Sequence, residues 1–140
     1  MSIKQLNPYL IFDGQAEQAI RLYERALGAT TDAFQRFGDM PGATMQGPER
    51  ERVVHALVHI GPWVLMISDS RPGMSPVTGG IVHICLDFDD EAEMRQKFEA
   101  LAATGKVEMA LQDTFWGAVF GSLTDAHGVS WMFNCEKKKG

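Results

Sequence analysis

One succession of hydrophobic periods runs through the chain twice, and that repeat constrains the fold more than any other feature. The first copy opens with 6-LNPYLIF-12, which has the alternation of a strand. A helical pattern over 15-QAEQAIRLYERALG-28 follows, with Ala16, Ala19, Ile20, Tyr23, Ala26 and Leu27 at one spacing and Gly28 at its end. Thr30 to Phe37 reads as a second strand, and 53-VVHALVHIG-61 and 63-WVLMISD-69 as a hairpin turning at Gly61-Pro62. After 70-SRPGMSPVTGG-80 the order begins again with the strand 81-IVHICLDF-88. Asp89-Asp90 then caps a helix over 91-EAEMRQKFEALAATG-105, and strands are expected at Lys106–Leu111, Phe115–Thr124 and Val129–Cys135. The expected fold class is α+β, made of two β-α-β-β-β modules at about 5–69 and 81–136, joined by a linker at about 70–80 within one domain spanning 1–140. Each module packs a helix on one sheet face and leaves the other needing a cover or a ligand.

Alternation sorts the residues between those faces. Leu10 and Phe12 look inward, with Asn7 and Tyr9 outward; Val54, Ala56, Val58 and Ile60 pack, leaving His55, Leu57 and His59 on the other face. In the second module Val82, Ile84, Leu86 and Phe88 pack while His83 and Cys85 look out; Val129, Trp131 and Phe133 pack while Ser130, Met132 and Asn134 do not. The connection 38-GDMPGATMQGPERER-52 is long for a hairpin and carries Met40 and Met45, so it reads either as a loose tip or as a Met-lined flap. Its charge run 49-ERER-52 reads as solvated.

Composition narrows the partners. With 140 residues, 45% of them hydrophobic, the chain can bury a real core, and a formal charge of −5 leaves no basic footprint for nucleic acid beyond Lys137-Lys138-Lys139. No apolar run is long enough to span a membrane and the N-terminus lacks a signal peptide, which points to the cytoplasm. Cys85 and Cys135 sit in strand patterns without a C-x-x-C spacing, as reduced thiols do.

The segments 7-NPYLIFDG-14, 20-IRLYERALGA-29, 53-VVHALVHIG-61, 81-IVHICLDFDD-90 and above all 113-DTFWGAVFGSLTDAHGVSW-131 resemble, in order and spacing, the vicinal oxygen chelate (glyoxalase, bleomycin resistance, dioxygenase) superfamily and its PhnB-like branch. Ala126 stands where that branch usually has Pro. The resemblance implies a curved, incompletely closed sheet around a groove, completed by homodimerisation. It implies Tyr9, Phe37, Met45, Phe115, Trp116 and Met132 as groove residues beside His55 and His83. In metal-dependent members four ligands hold a divalent ion, and the matching positions here are Asn7, His55, His83 and Met132. Asn and Met are poor replacements for His and Glu, so the set to test is Asn7, His55 and His83 with Zn, Ni, Mn or Fe. His59 lies four strand residues from His55, about 13 Å, and does not reach the same shell.

Two function classes stay open: a binder of a small molecule in a dimer groove, or a metal-dependent lyase, isomerase or dioxygenase acting on a small oxygenated substrate. Some members of the branch carry the label 3-demethylubiquinone 3-methyltransferase, but the Gly-rich loop of a Rossmann-type methyltransferase is missing, since Gly14 stands alone. Asp113 and Asp125 invite an acid–base role; Asp125 reads better as the cap of the turn 125-DAHG-128, with His127 exposed there. Trp131 reads as core and then needs a partner for its indole N–H.

Overall fold

The computed structural model describes residues 2, 5–76, 82–114 and 116–137. It divides into two units, Met1–Val77 and Thr78–Gly140. Unit 1 contains β1 (Tyr9–Phe12), α1 (Ala16–Leu27), β2 (Thr30–Arg36), β3 (Val53–Ile60) and β4 (Trp63–Asp69); unit 2 contains β5 (Ile84–Phe88), α2 (Glu91–Ala102), β6 (Lys106–Asp113), β7 (Ala118–Thr124) and β8 (Ser130–Glu136). The sheet orders are β1-β4-β3-β2 and β5-β8-β7-β6, so the second unit repeats the first strand for strand. In each, the first strand pairs parallel to the last and the other two pairings are antiparallel. The succession of elements and the α+β class are those the repeated hydrophobic pattern predicts; the strand order within each sheet is set by the fold. No helix among the described residues is long and apolar enough to cross a membrane.

In unit 1, α1 buries Ala16, Ala19, Ile20, Tyr23, Ala26 and Leu27, the stripe read from the sequence, together with Leu22. It stops at Gly28, whose φ of 72° is open to a residue without Cβ. Its start is not capped by its own side chain. Asp69, at the end of β4, sends Oδ1 to the N–H groups of Gly14 and Ala16 at 2.8 and 3.0 Å and Oδ2 to that of Val53 at 2.9 Å. One buried carboxylate thus joins the α1 entry, the β3 start and the β4 end, satisfying the buried N–H groups of Ala16 and Val53.

In unit 2, Asp90 caps α2 by accepting from Ala92 and Glu93 N–H, as expected, and Met94, Phe98 and Leu101 form the buried stripe. The ring of Phe133 lies stacked on Phe88 at 5.7 Å and edge-on to Phe98 at 5.2 Å. Such ring pairs add about 0.5–1.5 kcal/mol beyond their buried area. The helix ends at Ala102 rather than 105, because the chain must bring Gly105 against β7: a Cβ there would sit 2.5 Å from the Thr124 carbonyl oxygen.

The packing faces follow the alternation except at strand starts. Val82 was expected to pack; it is 72% exposed, because β5 begins only at Ile84 and Val82 has no sheet to lie against. Ile81, expected to open that strand, lies outside the described residues. The first strand is likewise shorter than predicted: Leu6 is exposed, Asn7 and Pro8 precede the regular ladder, and Pro8 still accepts from the Met66 N–H at 3.0 Å. The third strand of the second module starts at Ala118, where the backbone is hydrogen-bonded to the Thr114 hydroxyl, so Trp116 and Gly117, expected within it, precede it; Phe115 lies outside the described residues.

Candidate functional site

Each sheet has one face under its helix and one open face, and the chemistry-bearing residues collect on the open faces. In unit 1 the registers Tyr9↔Met66 and Leu57↔Met66 align these three side chains in a row across β1, β4 and β3. His55 belongs to the same face, its ring 6.3 Å from that of Tyr9 and tilted by 46°. Tyr9 is exposed and His55 half-buried, so the pair presents an aromatic edge to the outside. Asn7 is half-buried beside the top of β4 and donates its side-chain N–H to the Val64 carbonyl at 3.0 Å. His59 lies further along, 3.9 Å from Asp32, a weak and exposed pairing.

In unit 2, β5, β8 and β7 build the corresponding rows Cys85–Met132–Ser122 and Asp87–Asn134–Phe120. Asn134 donates to Asp87 at 2.7 Å, and Trp116, more than half exposed, meets Phe120 edge-on at 5.9 Å. Burial, and then the negative charge of Asp87, push the Cys85 thiol above its ordinary pKa. His83 is exposed just before β5. Phe115 lies outside the described residues.

The remaining expected residues have other surroundings. Phe37 is buried at the start of a 3-10 turn over Phe37–Asp39. Met45 is half-buried in the connection between β2 and β3, and its carbonyl accepts from Arg50 at 3.2 Å. The second nitrogen of that guanidinium donates to the Gly38 carbonyl at 2.9 Å, so Arg50 ties the connection across its width. These bonds hold the connection in a way a loose tip would not, while Glu49, Arg50 and Glu51 stay exposed as a solvated run does. Arg52 reaches Asp13 at 3.0 Å and both oxygens of Ser70, linking the ends of β1 and β4. The alternating signs in 49-ERER-52 concealed two structural guanidiniums; their place immediately before a strand was the available signal.

Asp113 and Asp125 are accounted for separately. Asp113 is exposed and pairs with Lys137 at 2.8 Å. Asp125 is buried: Oδ1 accepts from His127 and Val129 N–H at 2.8 and 3.1 Å, and Oδ2 from the Trp131 indole N–H at 2.8 Å. The expected turn cap is therefore also the expected partner of the buried tryptophan. His127, expected to be exposed, is half-buried in that turn.

The donor chemistry does not compose a shell for a hard or borderline divalent ion within either unit. Unit 1 offers His55 and the Asn7 amide, with His59 too far along β3 to join them; unit 2 offers the His83 imidazole with the soft sulfurs of Cys85 and Met132. Among the described residues no three His, Cys, Asp or Glu side chains converge as ligands. A shallow acidic depression lined by Asp89, Asp90, Glu91, Cys135, Glu136 and Lys137 lies at the start of α2, away from the open sheet face.

Two β-α-β-β-β units with open, aromatic-bearing sheet faces agree with the comparison to known families. Residues 5–133 match the glyoxalase/bleomycin resistance protein/dioxygenase superfamily, and the chain belongs to it. Protein YjdN of Escherichia coli (strain K12) is 37% identical over 143 residues, covering 96% of this chain and 97% of its own length. The crystal structure of protein PA1353 from Pseudomonas aeruginosa is 39% identical, with a TM-score of 0.86 over 97% of this chain and 100% of that one. The PhnB protein of Bacillus cereus, described as a candidate 3-demethylubiquinone-9 3-methyltransferase, is 25% identical with a TM-score of 0.78 over 94% of this chain and 99% of that one. The resemblance to the PhnB-like branch read from 113-DTFWGAVFGSLTDAHGVSW-131 is thereby borne out.

Proposed function

We propose that this chain is a cytoplasmic, homodimeric binder of a small aromatic or amphipathic molecule, which lies against its open sheet faces. The observation that carries the reading is the Tyr9–His55 ring pair, standing on an uncovered sheet face beside the thioether of Met66. Unit 2 supports it with a second aromatic pair, Trp116 and Phe120, near Met132. Aromatic edges beside polarisable sulfur bind flat apolar surfaces, and the polar tips at Tyr9, His55 and Asn134 fix orientation. Tyr9 and Met45 in unit 1 and Trp116 and Met132 in unit 2 are proposed as ligand contacts, and the sequence adds Phe37 and Phe115 as candidates.

The test is a titration of fused-ring aromatic probes and of bleomycin into the full chain, followed by tryptophan fluorescence. Saturable quenching that weakens in Tyr9→Ala and in Trp116→Phe supports the reading; a flat response to all probes sinks it. Light scattering supplies the subunit number, and a monomer at all concentrations removes the dimer from the proposal.

A second reading, a metal-dependent lyase, isomerase or dioxygenase, is favoured by one feature: the half-buried His55 imidazole rests against a ring rather than against a carboxylate or carbonyl. Its ligands would be Asn7, His55 and His83. Titration with Zn, Ni, Mn and Fe(II), in wild type and in a His55→Ala/His83→Ala double variant, decides it. Near-stoichiometric binding lost in the variant supports the metal, whereas binding that the variant retains, or its absence in wild type, removes it.

A further inference from the structure

The open face of unit 2 departs from hard-ion chemistry in a specific direction. Cys85 on β5 and Met132 on β8 are direct register partners in a parallel pair. Partners at one level of a parallel pair project to the same side, and strands lie about 4.8 Å apart, so thiol and thioether start from neighbouring positions on one face. Their side is the open one: along β5 Ile84, Leu86 and Phe88 are the more buried set, and along β8 Trp131, Phe133 and Cys135 are. Cys85 is exposed to incoming ions while Met132 is half-buried, which holds the thioether against the sheet and leaves the thiol accessible. Oxygen donors are less available at this level. The carboxylate of Asp87, one row further on, is engaged by Asn134 at 2.7 Å, and the third member of the Cys85 row is Ser122, a neutral hydroxyl.

We propose that Cys85 and Met132 form a two-sulfur site for a soft, thiophilic monovalent cation, with Cu(I) as its probe. Thiolate and thioether are the ligands that select Cu(I), and low coordination numbers suit a site built from two side chains on adjacent strands. On binding, the Sγ–H bond breaks, the proton leaves to solvent, and a sulfur–copper bond forms with copper remaining at the +1 state. The thioether donates a lone pair and loses nothing. This site shares Met132 with the organic ligand proposed above but not Tyr9 or His55, so an ion seated there would alter the floor on which that ligand rests.

The experiment is anaerobic competition for Cu(I) between the reduced full-length chain and bicinchoninate, read from the colour of the chelate. Wild type is expected to withdraw one Cu(I) per chain. Cys85→Ser and Met132→Leu are each expected to weaken retention by at least the roughly 10- to 100-fold that loss of even an outer-shell partner costs. X-ray absorption on the loaded chain should show two sulfur scatterers in wild type and one in Met132→Leu. If Cys85→Ser fails to fold, alkylation of the exposed Cys85 in wild type replaces it, since Cys135 is buried. No withdrawal by wild type, full retention in Cys85→Ser, or unchanged affinity in Met132→Leu would each overturn the two-sulfur site. The readout is copper, not aromatic binding, so its failure leaves the Tyr9–His55 reading standing.

Discussion

At the scale of single residues, two buried aspartates carry more of this structure than any charged surface group. Asp125 holds a turn and an indole at once: remove it and two backbone N–H groups and the Trp131 Nε1–H lose their acceptor in the interior. Orphaned buried donors cost about 1–3 kcal/mol, more where the acceptor was charged, so Asp125→Ala is expected to lose about 2–4 kcal/mol. Chemical denaturation measures this, and a loss under about 1 kcal/mol would show that water replaces the carboxylate. The turn was legible in 125-DAHG-128 because Asp and Gly declare it; that the same carboxylate serves Trp131 was not, since only the fold brings Oδ2 to the indole. Cys85 offers a second residue-level test. Burial first and Asp87 second raise its pKa, so at neutral pH the thiolate is scarcer than in an ordinary exposed thiol. The sign is fixed: Asp87→Asn removes a neighbouring negative charge, lowers the pKa and speeds iodoacetamide alkylation at pH 7.5. The pH–rate midpoint should move downward, and an unchanged profile would mean that burial alone sets it.

At the scale of elements, strand interiors and helix stripes could be read from the sequence, whereas ends depended on neighbours that periodicity does not see. The β4 range Trp63–Asp69 came from an apolar run following the Gly61-Pro62 turn signal, and the α1 stripe from helical spacing. The end of α2 did not, because the weak helix formers Thr104 and Gly105 do not by themselves say at which residue the last turn ends, and the approach of Gly105 to β7 sets it at Ala102. Gly105 and Gly121 share that cause: a Cβ on Gly121 would lie 2.9 Å from the Met109 carbonyl oxygen and from the Leu111 side chain. Both glycines are sites of close approach between elements, with no need for an unusual φ. Gly105→Ala is therefore expected to cost about 1–3 kcal/mol by overpacking against the Thr124 backbone. A variant at Gly73, whose added Cβ meets nothing within 4 Å although φ is 85°, separates steric from conformational cost. Equal losses at the two positions would refute the packing explanation. Arg52 shows the opposite failure of reading: its bonds to Asp13 and Ser70 are long-range in sequence, and charge patterning alone could not distinguish it from its solvated neighbours.

For the whole molecule, the repeated strand order matters because it duplicates an unfinished surface. Each sheet covers one face with a helix and leaves Tyr9, Ile11, Trp63 and Trp116 among its exposed large apolar residues. Isolated exposed apolar side chains are ordinary, but those on a strand that forms a sheet edge beside an open face are candidates for burial by a ligand or a second copy. Association binds the folded state and not the unfolded chain, so a homodimer predicts a melting temperature that rises with protein concentration. A hundredfold increase in chain concentration should raise it measurably, with light scattering reporting twice the chain mass of 15.5 kDa. The ligand makes a different prediction: at fixed chain concentration, a bound aromatic probe raises the melting temperature in proportion to the logarithm of its concentration above saturation. Applying both to wild type and Tyr9→Ala separates the two uses of the open face. If concentration dependence disappears with Tyr9 while probe stabilisation survives, β1 serves the second copy. If the reverse holds, the Tyr9–His55 pair serves the ligand and the chains meet elsewhere. If wild type shows neither, the open faces are solvated in solution and the proposed binding function fails.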